Sequence, residues 1–263
     1  MSLTGKTLKN TYKDILQMDN SNSGIDTVTR KVKDGEGTLS ALSLSDDFVG
    51  VQPVNDDSGA TFAVVNKSGT VLFYVDTTNS MIQALGNNLN TQYATFGINA
   101  TGSTGFQAGV HEAIPFSSQY GFADISNTPN FGSGTDPATS FTTADSAHNR
   151  ASDLVSAMWY LPDDITIDSI VSIEGADNAT GDTTRMHLFS YDFTSGSTSA
   201  LTNGVLLAHS SDVTNSGNEQ AYLSSWTIDS ANVAAQKALF ATFESDSVNS
   251  DFSINITVKY HLT

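Results

Sequence analysis

The side chains that could do chemistry in this chain are five histidines and a few closely spaced carboxylates. No two histidines lie within five residues of each other, and neither H-x-x-H nor HExxH occurs. Zinc sites use such spacings or cysteine thiolates, and the chain has no cysteine. We therefore expect no metal, no thiol nucleophile and no disulfide, and we expect His111 and His187 to be ordinary strand residues.

Two carboxylate pairs deserve comparison with glycan-cleaving enzymes, which hold two such groups roughly 5–10 Å apart. Asp163 and Asp164 follow a proline in a predicted turn, and Glu244 and Asp246 lie in a predicted loop. The sequence has no phosphate-binding loop, dinucleotide fingerprint or G-x-S-x-G motif. We expect no catalytic residue and no cofactor.

The run from Asp19 to Gly24 is similar to the start of a calcium loop. The twelfth position of that loop requires a bidentate acid, but here it is Arg30. The run is also rich in residues that hydrogen-bond their own backbone. It therefore predicts a turn that ends a short helix.

The composition predicts an all-β protein. Hydrophobic residues make up 38% of the 263 residues, while Gly, Ser, Thr, Asn and Asp are abundant, which favours short strands joined by turns. The net charge of −17 argues against nucleic-acid binding. No apolar run is long enough to span a bilayer, so we expect no membrane insertion and synthesis in a cytoplasm.

The positive charge is concentrated at the N-terminus. Residues 1–33 carry a net charge of +3 and the remainder carries −20. A basic end on an acidic body suggests that the end meets an acidic surface, although a charged, solvated tail is an equal alternative. Within this end, Leu8, Tyr12, Ile15 and Leu16 follow the spacing of one face of a short helix.

The chain is predicted to contain three segments. Residues 1–45 form an attachment segment, residues 46–102 form a β-hairpin region that oligomerises, and residues 103–263 form a β-sandwich, jelly-roll-like, with a long loop at 127–150. The hairpin strand Thr70–Asp76 is apolar at nearly every position, as if it were covered on both faces. A region this small cannot cover both faces itself, so we expect burial between copies of the chain.

The sandwich is predicted from seven or eight short strands separated by turns. One is Leu154–Tyr160, and the next, Ile165–Ile173, places its odd-numbered residues on one face. Trp159 is expected in the core and Tyr160 at a subunit seam or on the surface. A sugar-binding platform is the alternative for Tyr160 and for Trp226. The remaining predicted strands are Arg185–Tyr191, Gly204–Ala208, Ala221–Ile228, Lys237–Phe243 and Phe252–Tyr260.

The stretch from Thr11 to Ser45 resembles the opening of virion structural proteins of tailed phages, especially short-tailed marine and cyanobacterial phages. The pattern is YKDLLQ-DN-N-GI---R-V-DG-GT-S-L-LS, followed by a G-V-F-VD hairpin, and MWYLPDDITIDSI from Met158 resembles their distal sandwich domain. The matching residues are Tyr12, Lys13, Asp14, Leu16, Gln17, Asn20, Gly24, Ile25, Arg30, Val32, Asp34, Gly35, Gly37, Ser40, Leu42 and Ser43, and, in the hairpin, Gly69, Val71, Phe73, Val75 and Asp76.

The resemblance implies a homotrimer that binds the major capsid protein or another virion protein and is located in the virion. We expect a non-enzymatic capsid decoration or head-fibre protein; the alternatives are a tail fibre or adhesin that recognises host surface glycan and, third, a depolymerase. Contacts between copies are expected at Leu42, Leu44, Val71, Phe73 and Val75. Attachment to the virion is expected through Lys6, Leu8, Lys9, Tyr12, Lys13, Ile15, Leu16, Arg30, Lys31 and Lys33.

Overall fold

The computed structural model describes residues 15–21, 23–100, 107–117, 130–142, 144–145, 149–177, 180–217, 219–246 and 251–263. The chain divides into two compact units, Met1–Leu89 and Asn90–Thr263. Nearly all regular structure is antiparallel β-sheet, and the only described helix is α1, Ala151–Ala157. The all-β prediction is confirmed.

The N-terminal unit contains two four-stranded meanders. The first, which we call the N-terminal sheet, has β1 (Gln17–Met18), β2 (Arg30–Lys33), β3 (Leu39–Leu44) and β4 (Val49–Val51) in sequence order. The second, which we call the hairpin sheet, has β5 (Phe62–Val65), β6 (Val71–Asp76), β7 (Met81–Ala84) and β8 (Asn87–Asn88), also in order. Asn66 closes the β5–β6 turn, because its side chain accepts hydrogen bonds from the amides of Ser68 and Thr70.

The C-terminal unit is built on two larger sheets. Sheet I has the order β18-β14-β22-β9, with β20 also paired to β14, and sheet II has the order β10-β21-β15-β16-β19, with β13 and β17 at its margins. Strands β11 (Ala144–Asp145) and β12 (Asn149–Arg150) pair separately. The strands of sheet I are β9 (Thr91–Ala100), β14 (Ile165–Asp177), β18 (Gln220–Ser225), β20 (Asn232–Val233) and β22 (Asp251–Leu262). The strands of sheet II are β10 (Glu112–Ile114), β13 (Trp159–Tyr160), β15 (Thr183–Phe193), β16 (Leu201–His209), β17 (Val213–Thr214), β19 (Thr227–Ile228) and β21 (Lys237–Ser245).

Two apolar clusters hold this unit together. The larger lies between the sheets, where Phe96, Ile256 and Val258 of sheet I meet Leu188 and Phe243 of sheet II. The smaller lies on the other side of sheet II, where residues 130–142, which we call the strap, and helix α1 cover the sheet with Phe131 and Leu154 among others. Sheet II is therefore buried on both faces, which explains why strand β21 is apolar almost throughout.

Two predictions about local structure were wrong. The segment Leu154–Tyr160 is not one strand: α1 ends at Ala157 and β13 begins at Trp159, because Leu154 and Ala157 are buried at helical spacing. The alternation of Ile25, Thr27 and Thr29 with Asp26, Val28 and Arg30 predicts a short strand, but residues 25–29 do not form one. Asp26 instead forms a turn by accepting a hydrogen bond from the amide of Val28. Of the predicted helix, Leu8 and Tyr12 lie outside the described residues.

The low-complexity run of residues 99–105 predicts a linker, but Asn99 is not part of one, because β9 runs through that residue and pairs with β22. The second compact unit accordingly starts at Asn90. The predicted loop at 127–150 contains the strap and the short β11–β12 pair in its described part. The jelly-roll detail of the sandwich stays a prediction.

Strand β14 departs from the predicted alternation. Ile165 and Ile167 face the core, but the register with β22 shifts between Ile167 and Ser169, so Asp168 is the extra residue of a β-bulge. The bulge reverses the alternation, and Ile170 is buried whereas Val171 and Ile173 face outward. The prediction that one face carries all five odd-numbered residues was therefore wrong.

Candidate assembly surface

The N-terminal unit buries almost no apolar side chains. Among its described residues seventeen large hydrophobic side chains are exposed, and Val32 is the one buried hydrophobic residue. In the described part of the C-terminal unit eight large hydrophobic side chains are exposed, whereas thirty-three hydrophobic residues are buried. Burial of apolar surface is the main force that stabilises a folded chain, so the described part of the N-terminal unit lacks a core of its own in this single chain.

One face of the hairpin sheet is apolar and uncovered. Strand register places the side chains of β5, β6 and β7 opposite each other in pairs, so that they form one continuous surface. The exposed members have between 41% and 46% of their surface accessible, and Phe62 and Phe73 pack edge to face at 6.2 Å. We call this surface the hairpin apolar face: Phe62, Val64, Val71, Phe73, Val75 and Ile82.

The other face of the same sheet is largely polar. Gln83 donates a hydrogen bond to Asn88 and accepts one from the Tyr74 hydroxyl, while Asp76 accepts two from Asn79. The Asn79 donors lower the pKa of Asp76. Because these polar groups already have partners, their part of the face does not need a cover, and burial of both faces between copies stays a prediction.

The N-terminal sheet also leaves apolar residues accessible. Leu42 and Leu44 are half-buried and pair with Val51 and Val49, which are 40% and 69% exposed. The ring of Phe48 lies over Gly50 so closely that a Cβ there would be 2.5 Å from it. The five residues predicted to contact other copies (Leu42, Leu44, Val71, Phe73 and Val75) are therefore each at least partly accessible, and they lie on two different sheets.

Part of the predicted attachment set lies outside the described residues: Lys6, Leu8, Lys9, Tyr12 and Lys13. Ile15 and Leu16 are described; they precede β1 and are 42% and 68% exposed. Two adjacent exposed apolar residues are consistent with a contact to another molecule, but no described helix holds them.

The three cations of strand β2 are each engaged within the N-terminal unit. Lys33 forms an ion pair with Asp19 at 2.8 Å, and the Lys31 ammonium donates to the Gln52 carbonyl. Arg30 pairs with Asp26, and its guanidinium, together with the Val28 amide, lowers the pKa of Asp26 to about 2. These contacts give the cations a local structural role beside the predicted attachment role.

A cleft of about 350 Å³ opens on the C-terminal unit between α1 and the β15–β16 turn. Its wall is mainly Leu154, Met158 and Phe193, with the hydroxyl-bearing residues Ser197 and Thr198 also lining it. Tyr160 is 47% exposed and packs edge to face on Phe193 at 6.5 Å, so it lies beside this cleft.

Trp226 is not available as a ligand surface. It is 8% exposed within the core between the sheets, and its indole N–H donates to the Ser172 hydroxyl at 2.9 Å. The indole is buried because the chain crosses there from β18 of sheet I to β19 of sheet II. Trp159 is also in the core, as predicted, stacked on Phe116.

Three of the four carboxylates considered for catalysis, Asp164, Glu244 and Asp246, have structural contacts. Asp164 accepts a hydrogen bond from the Ala235 amide, and Asp246 accepts one from the Thr183 amide. Glu244 lies in strand β21, not in a loop, and pairs with Arg185 at 3.0 Å. Among the described residues no group of three or more His, Asp or Glu is placed to hold a metal ion, and no described helix is long and apolar enough to cross a membrane.

Sequence reasoning missed a buried histidine pair under the strap. His111 and His187 are 0% and 5% exposed, and their rings meet edge to face at 4.9 Å. Nε2 of His111 bonds the Gly134 carbonyl and Nε2 of His187 lies 3.4 Å from Asp136, while both Nδ1 atoms have no protein partner. Because the two residues are far apart in the chain, no spacing motif could have revealed them.

Comparisons with known proteins show no family for this chain. No family model and no curated protein matches it. One similar solved structure is an aminopeptidase from a marine sediment archaeon, Thaumarchaeota archaeon, with 8% identity and a TM-score of 0.33. The match covers 73% of this chain and 40% of that one, and a likeness this weak carries no argument about fold or activity.

Proposed function

We propose that this chain is a non-enzymatic structural protein of a phage virion, a capsid decoration or head-fibre protein that forms a homotrimer. The supporting observation is the hairpin apolar face, an uncovered hydrophobic surface in a unit that buries one hydrophobic residue among those described. Such a unit gains its stability by burying that face against another molecule. The trimeric state and the virion location rest on the resemblance of residues 11–45 and of the hairpin to virion structural proteins of tailed phages.

The homotrimer is tested by light scattering on the full chain and on two variants that differ only in which face they change. Val64→Asp puts a charge on the hairpin apolar face, whereas Leu72→Asp, at 37% exposure on the adjoining strand, puts it on the polar face. A mass near three times 27.8 kDa is expected for the wild type and for Leu72→Asp, and a much smaller one for Val64→Asp. A monomeric wild type would refute the proposal.

Virion attachment is tested by deletion of residues 1–33. Binding to particles that lack this protein should be lost, while the fluorescence of Trp159 and Trp226, both in the C-terminal core, should stay that of the intact chain. Binding that survives the deletion excludes this segment as the anchor. The number of copies per virion then separates head from tail, since hundreds indicate the capsid and roughly 6 to 18, as closed symmetric assemblies require, indicate the tail.

A tail fibre or adhesin that recognises host surface glycan is the second candidate. The cleft beside Tyr160 favours it, because a cleft of about 350 Å³ with an aromatic edge and nearby hydroxyl groups suits one or two sugar rings. A host-glycan array probed with wild type and Tyr160→Ala tests it: binding that Tyr160→Ala abolishes favours the adhesin, and absence of binding by the trimer counts against it.

A further inference from the structure

The strap covers one side of sheet II but buries little of itself. Of its thirteen residues two, Phe131 and Pro137, are buried, and eight are exposed. Its backbone is joined to the body by isolated hydrogen bonds: the Phe131 amide donates to the His111 carbonyl, and the Gly204 amide donates to the Thr139 carbonyl. A segment with few buried contacts opens at a lower free-energy cost than the sheets beneath it.

Three buried polar atoms without a protein partner cluster under the strap. They are Nδ1 of His111, Nδ1 of His187 and Oγ1 of Thr242. Thr242 lies opposite His187 in the strand register, and the two imidazole rings meet at 4.9 Å. Buried polar groups without partners cost free energy. Lifting the strap gives these atoms access to water, which offsets part of the cost of opening.

Each histidine contacts the strap through its other ring nitrogen. Nε2 of His111 donates to the Gly134 carbonyl at 2.9 Å, and Nε2 of His187 lies 3.4 Å from the Asp136 carboxylate. A carbonyl only accepts, so in the neutral ring of His111 the proton is on Nε2 and Nδ1 carries a lone pair. Protonation adds an N–H at Nδ1, where the folded chain provides no acceptor.

The charged groups around the histidine pair do not compensate for two imidazolium charges. Arg185 of β15 and Glu244 of β21 pair with each other at 3.0 Å, and His209 of β16 pairs with Asp229 at 2.7 Å. Asp136 of the strap remains, but its side chain is 55% exposed, so water screens its attraction. Two cationic rings 4.9 Å apart would therefore repel each other under the closed strap.

We propose that the strap is an acid-released cover: protonation of His111 and His187 favours a form in which residues 130–142 have lifted from sheet II while both sheets stay folded. Burial lowers the pKa of each imidazole, so the closed strap keeps both rings neutral. In the open form water solvates the rings and they bind protons, so this form gains population as pH falls. Opening uncovers Phe240, on which Phe131 of the strap packs at 5.1 Å, and so exposes an apolar surface.

The size of the effect follows from His187. With a pKa of 6.5 in the open form and about 3 in the closed form, this residue raises the ratio of open to closed strap about 25-fold between pH 7 and pH 5. His111 shifts in the same direction and adds to the increase. All of these contacts lie within one C-terminal unit, so the release does not depend on the proposed homotrimer.

A single cysteine under the strap measures its opening, because the chain has no cysteine of its own. Thr242→Cys places the thiol beside His187 under the strap. Ala241→Cys, at the preceding residue of β21, places it in the core between the sheets, and both positions are fully buried. The rate of reaction with a dithiodipyridine reagent is divided by the rate of free cysteine at the same pH.

This relative rate should rise about 25-fold or more for Thr242→Cys between pH 7 and pH 5, and His187→Gln in the same chain should make the rise about 25-fold smaller. At pH 5 Thr242→Cys should also react more than about tenfold faster than Ala241→Cys, because opening the strap costs less than unfolding the sandwich. A relative rate at position 242 that does not rise overturns the proposal. Equal rates at the two positions overturn it as well, since the unit would then open as a whole.

Hydrogen exchange gives the same test without a substitution. The amides of Phe131 and Gly204 bond across the border of the strap, so their protection should be lower than that of the β22 amides and should fall about 25-fold between pH 7 and pH 5. Protection that is equal in the strap and in β22, or that does not change with pH in the strap, excludes an acid-released cover.

Discussion

The buried histidine pair predicts that the C-terminal unit loses stability in mild acid. Burial first, and then the charges of His111, His209 and Arg185, lower the pKa of His187 from 6.5 to about 3. Burial likewise lowers the pKa of His111, although the Gly134 carbonyl and the carboxylates of Glu244 and Asp136 oppose this shift. Between these values the unfolded chain binds protons that the folded chain does not, so the free energy of unfolding falls as pH falls below 6.5.

The magnitude follows from the His187 shift alone. At pH 5 the unfolded histidine is protonated and the folded one is not. Because pH 5 lies about 1.5 units below the unfolded pKa of 6.5, the free energy of unfolding is lowered by about 2 kcal/mol. Replacing His187 with Gln removes the titration and keeps a donor near Asp136. The loss of stability between pH 7 and pH 5 should therefore be about 2 kcal/mol smaller in His187→Gln than in the wild type.

Urea unfolding followed by tryptophan fluorescence measures this loss, because both tryptophans lie in the C-terminal core. Thr242→Val is the control: Thr242 is opposite His187 in the strand register, is fully buried and does not titrate. Thr242→Val should retain the acid sensitivity of the wild type. If His187→Gln loses as much stability as the wild type between the two pH values, the reasoning is refuted.

Two further predictions concern single residues of the same unit. Burial raises the pKa of Glu174 above its ordinary value of 4.5, so the free energy of unfolding falls as pH rises from that ordinary value to the raised one; Glu174→Gln should raise the free energy of unfolding at pH 8 by on the order of 1 kcal/mol, and equal stability of both chains at pH 8 would contradict this. Gly204→Ala should cost about 1–3 kcal/mol, because its Cβ would lie 2.5 Å from the Tyr191 ring; Gly175→Ala, whose Cβ meets nothing closer than 3.8 Å, is the control in the same urea titration.

The alternation and turn chemistry of the sequence were sufficient to predict the strands. They were not sufficient to predict which side chains of a strand are buried or which residues pack against them. Strands β15, β21 and β22 were located to within a few residues, because long apolar runs bounded by the turn residues Gly, Ser and Asp are typical of strands. The bulge at Asp168 could not be predicted, since inserting one residue reverses the faces without changing the pattern that precedes it. The two distant histidines likewise meet only through tertiary packing.

The hairpin apolar face and the basic N-terminus predict opposite responses to salt. The hairpin apolar face contains no carboxylate in a chain with a net charge of −17, so contacts between copies through this face oppose the overall repulsion. Raising the salt from 0.05 to about 0.5 M shortens the screening length below roughly 10 Å and should strengthen self-association in sedimentation experiments.

Attachment of residues 1–33, with a net charge of +3, to an acidic virion surface should weaken over the same range of salt in a particle-binding assay. Self-association that weakens with salt would mean that ion pairs join the copies, and the apolar contacts proposed above would be wrong. Particle binding that strengthens with salt would instead make the attachment apolar, through residues such as Ile15 and Leu16.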